Sequence, residues 1–338
     1  MKITVIGTVF IDCKGFASHE YHPLGRNLGS IEFVHGGVGR NVAENLARLQ
    51  LPVTFLTTRD NSGIGDEVIT RLQQAEVDTE FCVAAEKGMG MWLAIMDQSG
   101  NLAGSISQMP DLGSLENIIN SNAYEIINQS SHVVLELDLT DEITATVIRL
   151  AKILNKPIYG LPGNLDVVMR NMGLLSHLDC FICNHIEAER LSGVSYDGLC
   201  VSGQIETLKR FVDEKGLRSM VVTLASDGAV FYDSLKNIAG HQPVFPVNLI
   251  DSAGAGDAFF SGTTMALIQG LPLDQAVIAG TKTAGWTIGS KENASPTLGD
   301  IWHKDEWFQR LMQMTGLPHH GNASKAHNIL VHRNAGAT

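Results

Sequence analysis

The sequence predicts an α/β protein with a mostly parallel central sheet flanked by helices and a small β-sheet lid. Three observations carry that prediction. Short apolar runs of strand length alternate with helical segments, the pattern of βαβ units whose sheet is covered on both faces. Two segments, 14–35 and 90–107, interrupt the alternation with β-like character. Two glycine-rich stretches each open a helix.

Ile3–Ile6 is the first strand. Residues 14–35 are mixed, with weak alternation at Ser30-Ile31-Glu32-Phe33-Val34. Gly36-Gly37-Val38-Gly39-Arg40-Asn41 leads into a helix whose Val42, Leu46 and Leu49 fall on one face at helical period. A strand over Leu51–Thr57 and a helix over Glu67–Ala75 follow. Met91 to Met96, the turn Asp97-Gln98-Ser99-Gly100 and a second short run read as a hairpin. The alternation resumes near residue 115. Strands are expected at His132–Leu137, Pro157–Gly160, Cys180–Cys183, Ser219–Leu224 and Ala229–Tyr232, with helices near 140–154, 186–192 and 204–215. A strand ending at Leu249-Ile250 should feed four small residues and a long apolar helix that stops near Gly270. A single domain is expected over 1–315, with a poorly ordered tail at 316–338.

Composition excludes several classes. In 338 residues there are 24 basic and 36 acidic side chains, a formal charge of −12. That argues against a nucleic-acid-coating surface, which needs clustered lysine and arginine. No apolar run is long enough to span a membrane, and the start has no signal-peptide architecture, so a cytoplasmic protein is expected. Five cysteines are an odd count and form no disulfide framework. Cys180 and Cys183 have C-x-x-C spacing with apolar filling and read as a buried strand rather than a metal site. The twelve histidines form no ligand set, and His35, beside a motif, reads as a lid residue.

The richest stretch is Leu249-Ile250-Asp251-Ser252-Ala253-Gly254-Ala255-Gly256-Asp257-Ala258-Phe259. Small residues let backbone turn tightly at a helix start, where N–H groups stabilise anions. Asp257 in that first turn is either a cap that complements the dipole or a general base beside an anion hole. The earlier glycine stretch is neither G-x-G-x-x-G nor a P-loop, which disfavours a dinucleotide site and a P-loop NTPase. It is either a turn with a polar helix-start residue, Asn41, or a close backbone approach to a polyhydroxy substrate.

Together the stretches resemble the two signatures of the PfkB (ribokinase-like) family of carbohydrate and nucleoside kinases, G-G-x-x-x-N and D-[ST]-x-G-A-G-D, about 215 residues apart. The run Gly36 to Leu46, with Gly29 to Phe33 and Met96 to Gly100, is most similar to the pseudouridine kinase branch. The resemblance implies a ribokinase-like fold and an ATP- and Mg²⁺-dependent kinase. Asp257 matches the catalytic base, and Ala253, Gly254, Ala255 and Gly256 the anion hole. Asp12, Gly37 and Asn41 match the substrate-binding positions. Asn184 and Glu187 match an N-x-x-E that organises Mg²⁺ through water. Thr223, Ser226 and Gly228 belong to the nucleotide segment, and Asp251 and Ser252 begin a monovalent-cation loop, K⁺ being the expected ion.

The sequence departs from the family at Ala225, where glycine is usual, at Leu161-Pro162 for Asp-Pro, and at Phe10 for asparagine. The expected substrate is a pentose-bearing small molecule, pseudouridine first, with Phe10, Phe16, Met91 and Trp92 covering its base. A sugar kinase for ribose or fructose and a catalytically weak nucleoside- or sugar-binding sensor are the alternatives. A homodimer through the lid is also implied, since a short lid sheet has edges that a partner lid covers.

Overall fold

The computed structural model describes residues 1–315, and the tail expected at 316–338 lies outside the described residues. Residues 1–298 form one compact unit. It opens with β1 (Ile3–Ile6), β2 (Phe10–Ala17), β3 (Gly29–Gly36), α1 (Val38–Arg48), β4 (Val53–Asp60) and α2 (Gly63–Gln74). Next come β5 (Cys82–Ala85), β6 (Gly90–Met96), β7 (Leu102–Gln108), α3 (Gly113–Gln129), β8 (His132–Glu136) and α4 (Asp141–Ile153). Then follow β9 (Ile158–Leu161), α5 (Leu165–Arg170), β10 (Cys180–Asn184), α6 (His185–Ser192) and α7 (Val201–Lys215). The unit closes with β11 (Ser219–Thr223), β12 (Ala229–Asp233), β13 (Ile238–Gln242), α8 (Ala255–Ile268) and α9 (Leu273–Ile288).

Nine strands form the central sheet in the order β13-β12-β11-β10-β9-β8-β1-β4-β5. All neighbours pair in parallel except β11–β12 and β12–β13. The interior strand β1, between β8 and β4, is buried at all four positions, as a strand covered by helices on both faces must be. Val42 and Leu46 of α1 are fully buried on the face that the helical period predicts. Cys180 and Cys183 are buried, unpaired thiols of β10. Burial pushes Cys180 up to about 12, which makes it an inert packing residue rather than a nucleophile.

The lid is a separate four-stranded sheet, β3-β2-β6-β7. Its two edge pairs are antiparallel and its central pair, β2–β6, is parallel. The lid starts earlier than the expected residue 14, because β2 begins at Phe10, so Asp12 is itself a lid residue. Alternation along the strands sorts the two faces. Val34, Asp12, Trp92 and Ser107 are register partners across the sheet, and Phe10, Lys14 and Phe16 share their side. Met91 points the other way and is 38% exposed, so it leaves the group expected to cover a base. On that outer side Phe33, Cys13, Leu93 and Ile106 form a second row.

One expected strand is absent. The segment before Asp251 has no strand assignment, although Leu249 and Ile250 are apolar; both side chains are exposed. The edge strands β5 and β13 escaped the sequence reading: β5 is only four residues long, and β13, Ile238-Ala239-Gly240-His241-Gln242, carries no continuous apolar run. Residues 299–315 belong to a second unit that carries α10 (Leu298–Lys304) and α11 (Glu306–Thr315), with Trp302 stacked on Phe308 at 5.4 Å.

Candidate active site

Asp257 lies in the first turn of α8, whose N-cap is Gly254. Gly254 has φ 74°, and a Cβ there would lie 2.0 Å from the Asn293 carbonyl oxygen, so only glycine fits this helix start. The Ala253 N–H donates to Asp251 Oδ1 at 2.9 Å and the Ala255 N–H to the Ser252 carbonyl at 3.2 Å. Two of the four expected anion-hole donors are therefore engaged. The N–H groups of Gly254 and Gly256 have no acceptor among the described residues.

The second glycine stretch meets the first here. Gly37, at φ 93°, turns the chain out of the lid into α1, and a Cβ there would sit 2.6 Å from the Thr8 carbonyl. One turn later Asn41 donates from Nδ2 to Asp257 Oδ2 at 2.6 Å, joining residues 216 positions apart. Burial pushes the half-buried Asp257 carboxyl up to about 7; the Asn41 hydrogen bond opposes this, the Glu136 charge adds to it, Arg40 opposes it, and Asp12 adds to it. Such a group takes up or releases a proton near neutrality, as a general base must.

Asp12 hangs from β2 and accepts from Asn293 Nδ2 at 3.2 Å. Burial raises its carboxyl as well, against the Asn293 bond and the Lys14 charge. Phe10 covers the adjoining part of the lid, with its ring packed over Gly90.

Beside Asp257 lies a cavity of about 140 Å³ lined by Leu161, Pro162, Asn184, Glu187, Thr223 and Gly256, among others. The fold thus brings together Asp257, the N-x-x-E pair and the start of the nucleotide segment, which come from α8, the β10–α6 junction and β11. Asn184 caps α6 by accepting from the Glu187 N–H at 2.9 Å, and Glu187 Oε2 accepts from the Asn184 N–H at 2.8 Å. This capping box gives Glu187 a structural role, and burial lifts its pKa above the ordinary carboxylate value. Ser226 and Gly228 are not in the cavity wall; they form the turn after β11. Ala225, where glycine was expected, has φ 50° in that turn. Asp251 faces Lys14 Nζ at 3.7 Å.

Two acidic residues escaped the sequence reading. Glu136 ends β8 fully buried and accepts from Thr8 N at 2.7 Å, Thr8 Oγ1 at 2.8 Å and Gly39 N at 2.9 Å. It ties the end of β1 to the start of α1 and so sets where Asn41 stands. Asp138 follows it, and burial, with Glu136 and Asp166 nearby, pushes its carboxyl up to about 7. The signal was Leu135-Glu136-Leu137-Asp138, acids alternating with leucines where a core strand ends.

A half-buried carboxylate at a glycine-rich helix start, under a lid and beside a small cavity at the sheet's carboxyl edge, is the constellation of a small-molecule alcohol kinase. The chain belongs to the pfkB family of carbohydrate kinases, whose profile matches residues 1–298. It is therefore a phosphotransferase with an alcohol acceptor. The chain is 38% identical over 293 residues to a guanosine-inosine kinase of Exiguobacterium acetylicum, covering 86% of this chain and 96% of that one. It is 25% identical over 276 residues to the pseudouridine kinase of Escherichia coli, covering 81% and 86%. The ribokinase of Thermotoga maritima superposes with a TM-score of 0.73 at 21% identity, over 90% and 99% of the chains. The ribokinase-like fold expected from the sequence is thus the fold observed. Among the described residues no helix is long and apolar enough to cross a membrane.

Proposed function

We propose that this protein is an ATP- and Mg²⁺-dependent nucleoside kinase that phosphorylates the 5′-hydroxyl of a ribonucleoside. The observation that carries the reading is the Asn41–Asp257 hydrogen bond, which sets a base of pKa about 7 beside the free N–H groups of the α8 start. In this reading Asp257 takes the proton from the attacking hydroxyl. The Gly254 and Gly256 N–H groups stabilise charge on the transferring phosphoryl. Asp12, steadied by Asn293, holds ribose hydroxyls, and Phe10, Phe16 and Trp92 on the inner lid face cover the base.

ATP would lie along Thr223, Ser226 and Gly228. The donors beside Asp257 suit a hydrated Mg²⁺. Glu187 offers one half-buried carboxylate, Asn184 and Thr223 are neutral, and a hard cation that keeps most of its waters needs few protein ligands. Bound Mg²⁺ would neutralise phosphate charge. A monovalent cation such as K⁺ would compete with the Lys14 ammonium for Asp251. Such an enzyme would act in the cytoplasm on its small-molecule substrates, and would pair through the outer lid row of Phe33, Leu93 and Ile106, whose exposures are 61, 38 and 69%.

Guanosine and inosine are the first substrates on this reading, because the relative that is 38% identical is named for them. Pseudouridine is the second, favoured by the Gly36–Leu46 motif. Purified protein with MgATP and guanosine, inosine, pseudouridine, uridine, ribose or fructose, read by ADP release, tests it. A nucleoside should exceed ribose and fructose at least ten-fold in kcat/KM. If either free sugar beats every nucleoside, the nucleoside reading falls to a sugar kinase. If nothing is turned over while a nucleoside binds, it falls to a sensor.

A further inference from the structure

We propose that Arg40 is a positioning residue for phosphoryl transfer: it holds the Asn41 carboxamide in one orientation and so fixes which oxygen of Asp257 receives the substrate's proton. The proposal rests on the reading of Asp257 as the base.

Arg40 is fully buried on α1. Its Nη1 donates to Glu44 Oε2 at 2.5 Å and its Nε to the Gly36 carbonyl at 3.3 Å, while Nη2 donates to the His35 carbonyl and to Asn41 Oδ1. A guanidinium has only donors and a carboxylate only acceptors, whereas a carboxamide has one end of each kind. The Asn41 end that faces Arg40 is therefore its oxygen, and the end that faces Asp257 Oδ2 at 2.6 Å is its NH₂. The two neighbours specify the same orientation from opposite sides. With Oδ2 occupied by Asn41, Oδ1 is the oxygen left to take a proton.

Charge balance within α1 does not account for a buried arginine at this place. Glu44 is also met by Arg48 Nη2 at 2.8 Å and by Arg71 Nε at 3.1 Å, so it retains two cations without Arg40. Glu44 serves as the anchor that makes burial of Arg40 tolerable. Of the charges acting on Asp257, Glu136 from β8 and Asp12 from β2 favour the protonated form, and Arg40 from α1 favours the ionised one. Arg40 itself is flanked by Glu44, Arg71 and Asp257. The neighbouring His35 ring faces Glu67 at 3.3 Å. Without Arg40 the Asn41 amide is free to turn its oxygen toward Asp257, and both the lost charge and the reversed dipole hold the proton on the base.

The test compares Arg40→Met with Arg48→Met, which removes another Glu44 partner but touches neither Asn41 nor Asp257. kcat/KM for the best nucleoside of the panel is measured from pH 5.5 to 9.5. The acid limb should move up by about one unit in Arg40→Met. That is about a five-fold loss at pH 7 that shrinks below two-fold at pH 9. Arg48→Met should leave the limb in place. Arg40→Lys, which keeps the charge beside Glu44 and guards against misfolding, should move it upward by a smaller step. Carboxyl ¹³C NMR titration of Asp257, assigned by its loss in Asp257→Asn, should give the same shifts without turnover. An unmoved limb and an unmoved NMR pKa in a folded Arg40 variant overturn the proposal, as does a loss uniform across pH. Full turnover in Asp257→Asn would instead overturn the base reading beneath it.

Discussion

Replacing Asp257 by asparagine should make the protein inactive and more stable at once. The side chain keeps its size and still accepts from Asn41 Nδ2, so the site's geometry survives. Loss of a general base typically costs 10²–10⁴ in rate, so kcat should fall at least about 100-fold. The stability gain follows from the shifted carboxyl. Its pKa rises from 3.8 unfolded to about 7 folded, so the native state binds more protons between those values and stability falls as pH rises through that window. Full conversion of about three units gives roughly 4 kcal/mol as an upper bound. Asp257 is only half-buried, and Arg40 loses its attraction, so about 2 kcal/mol is the working figure. For a domain of this size that is about 3 °C in Tm. Thermal melts at pH 8 and pH 4.5, beside the ADP-release assay, read both effects. The gain should be present at pH 8 and mostly gone at pH 4.5. A variant no more stable at pH 8, or one with kcat within a few-fold of wild type, refutes the reasoning.

Glu187→Gln keeps a capping-box side chain at the α6 start, so Tm should hold while the Mg²⁺ concentration for half-maximal rate rises several-fold; an unchanged Mg²⁺ dependence removes Glu187 from the metal's water shell. Ala225→Gly relieves a left-handed alanine at φ 50°, which costs about 1–2 kcal/mol, against glycine's larger unfolded-state entropy, so chemical denaturation should show a net gain of about 0.5–1 kcal/mol. A destabilised Ala225→Gly would contradict the strain. Phe33→Lys puts a charge in the outer lid row, and light scattering should find the wild type dimeric and the variant monomeric; a wild-type monomer, or a variant that still dimerises, removes the lid interface.

Much of the fold was legible because its cause is local. Ile3–Ile6, Cys180–Cys183 and Ser219–Leu224 read as strands because strands buried on both faces need near-continuous apolar runs, broken here only by small hydroxyl residues such as Thr4 and Thr223. The Gly254-to-Asp257 helix start was legible because a left-handed N-cap pressed against another backbone leaves only glycine. Other features depend on partners far away in sequence. Leu249 and Ile250 have strand composition, but no neighbouring strand takes up their backbone. The edge strands β5 and β13 exist because a neighbour offers a free row of hydrogen-bonding groups, and composition does not record that row. Met91 and Trp92 are adjacent in sequence and face opposite ways once β6 pairs with β2.

The sequence by itself determined the alternating α/β plan, the two glycine hinges and the types of residue in the site, because each follows from periodicity or from backbone sterics. Tertiary structure alone decided that Asn41 reaches Asp257, that Glu136 sits at the end of a core strand to hold the start of α1, and that Arg40 orients the amide between them. It also decided that Asp257 titrates near 7. A carboxylate's pKa is set by the water removed from it and by the charges folded around it, and Asp12, Arg40 and Glu136 reach it from β2, α1 and β8.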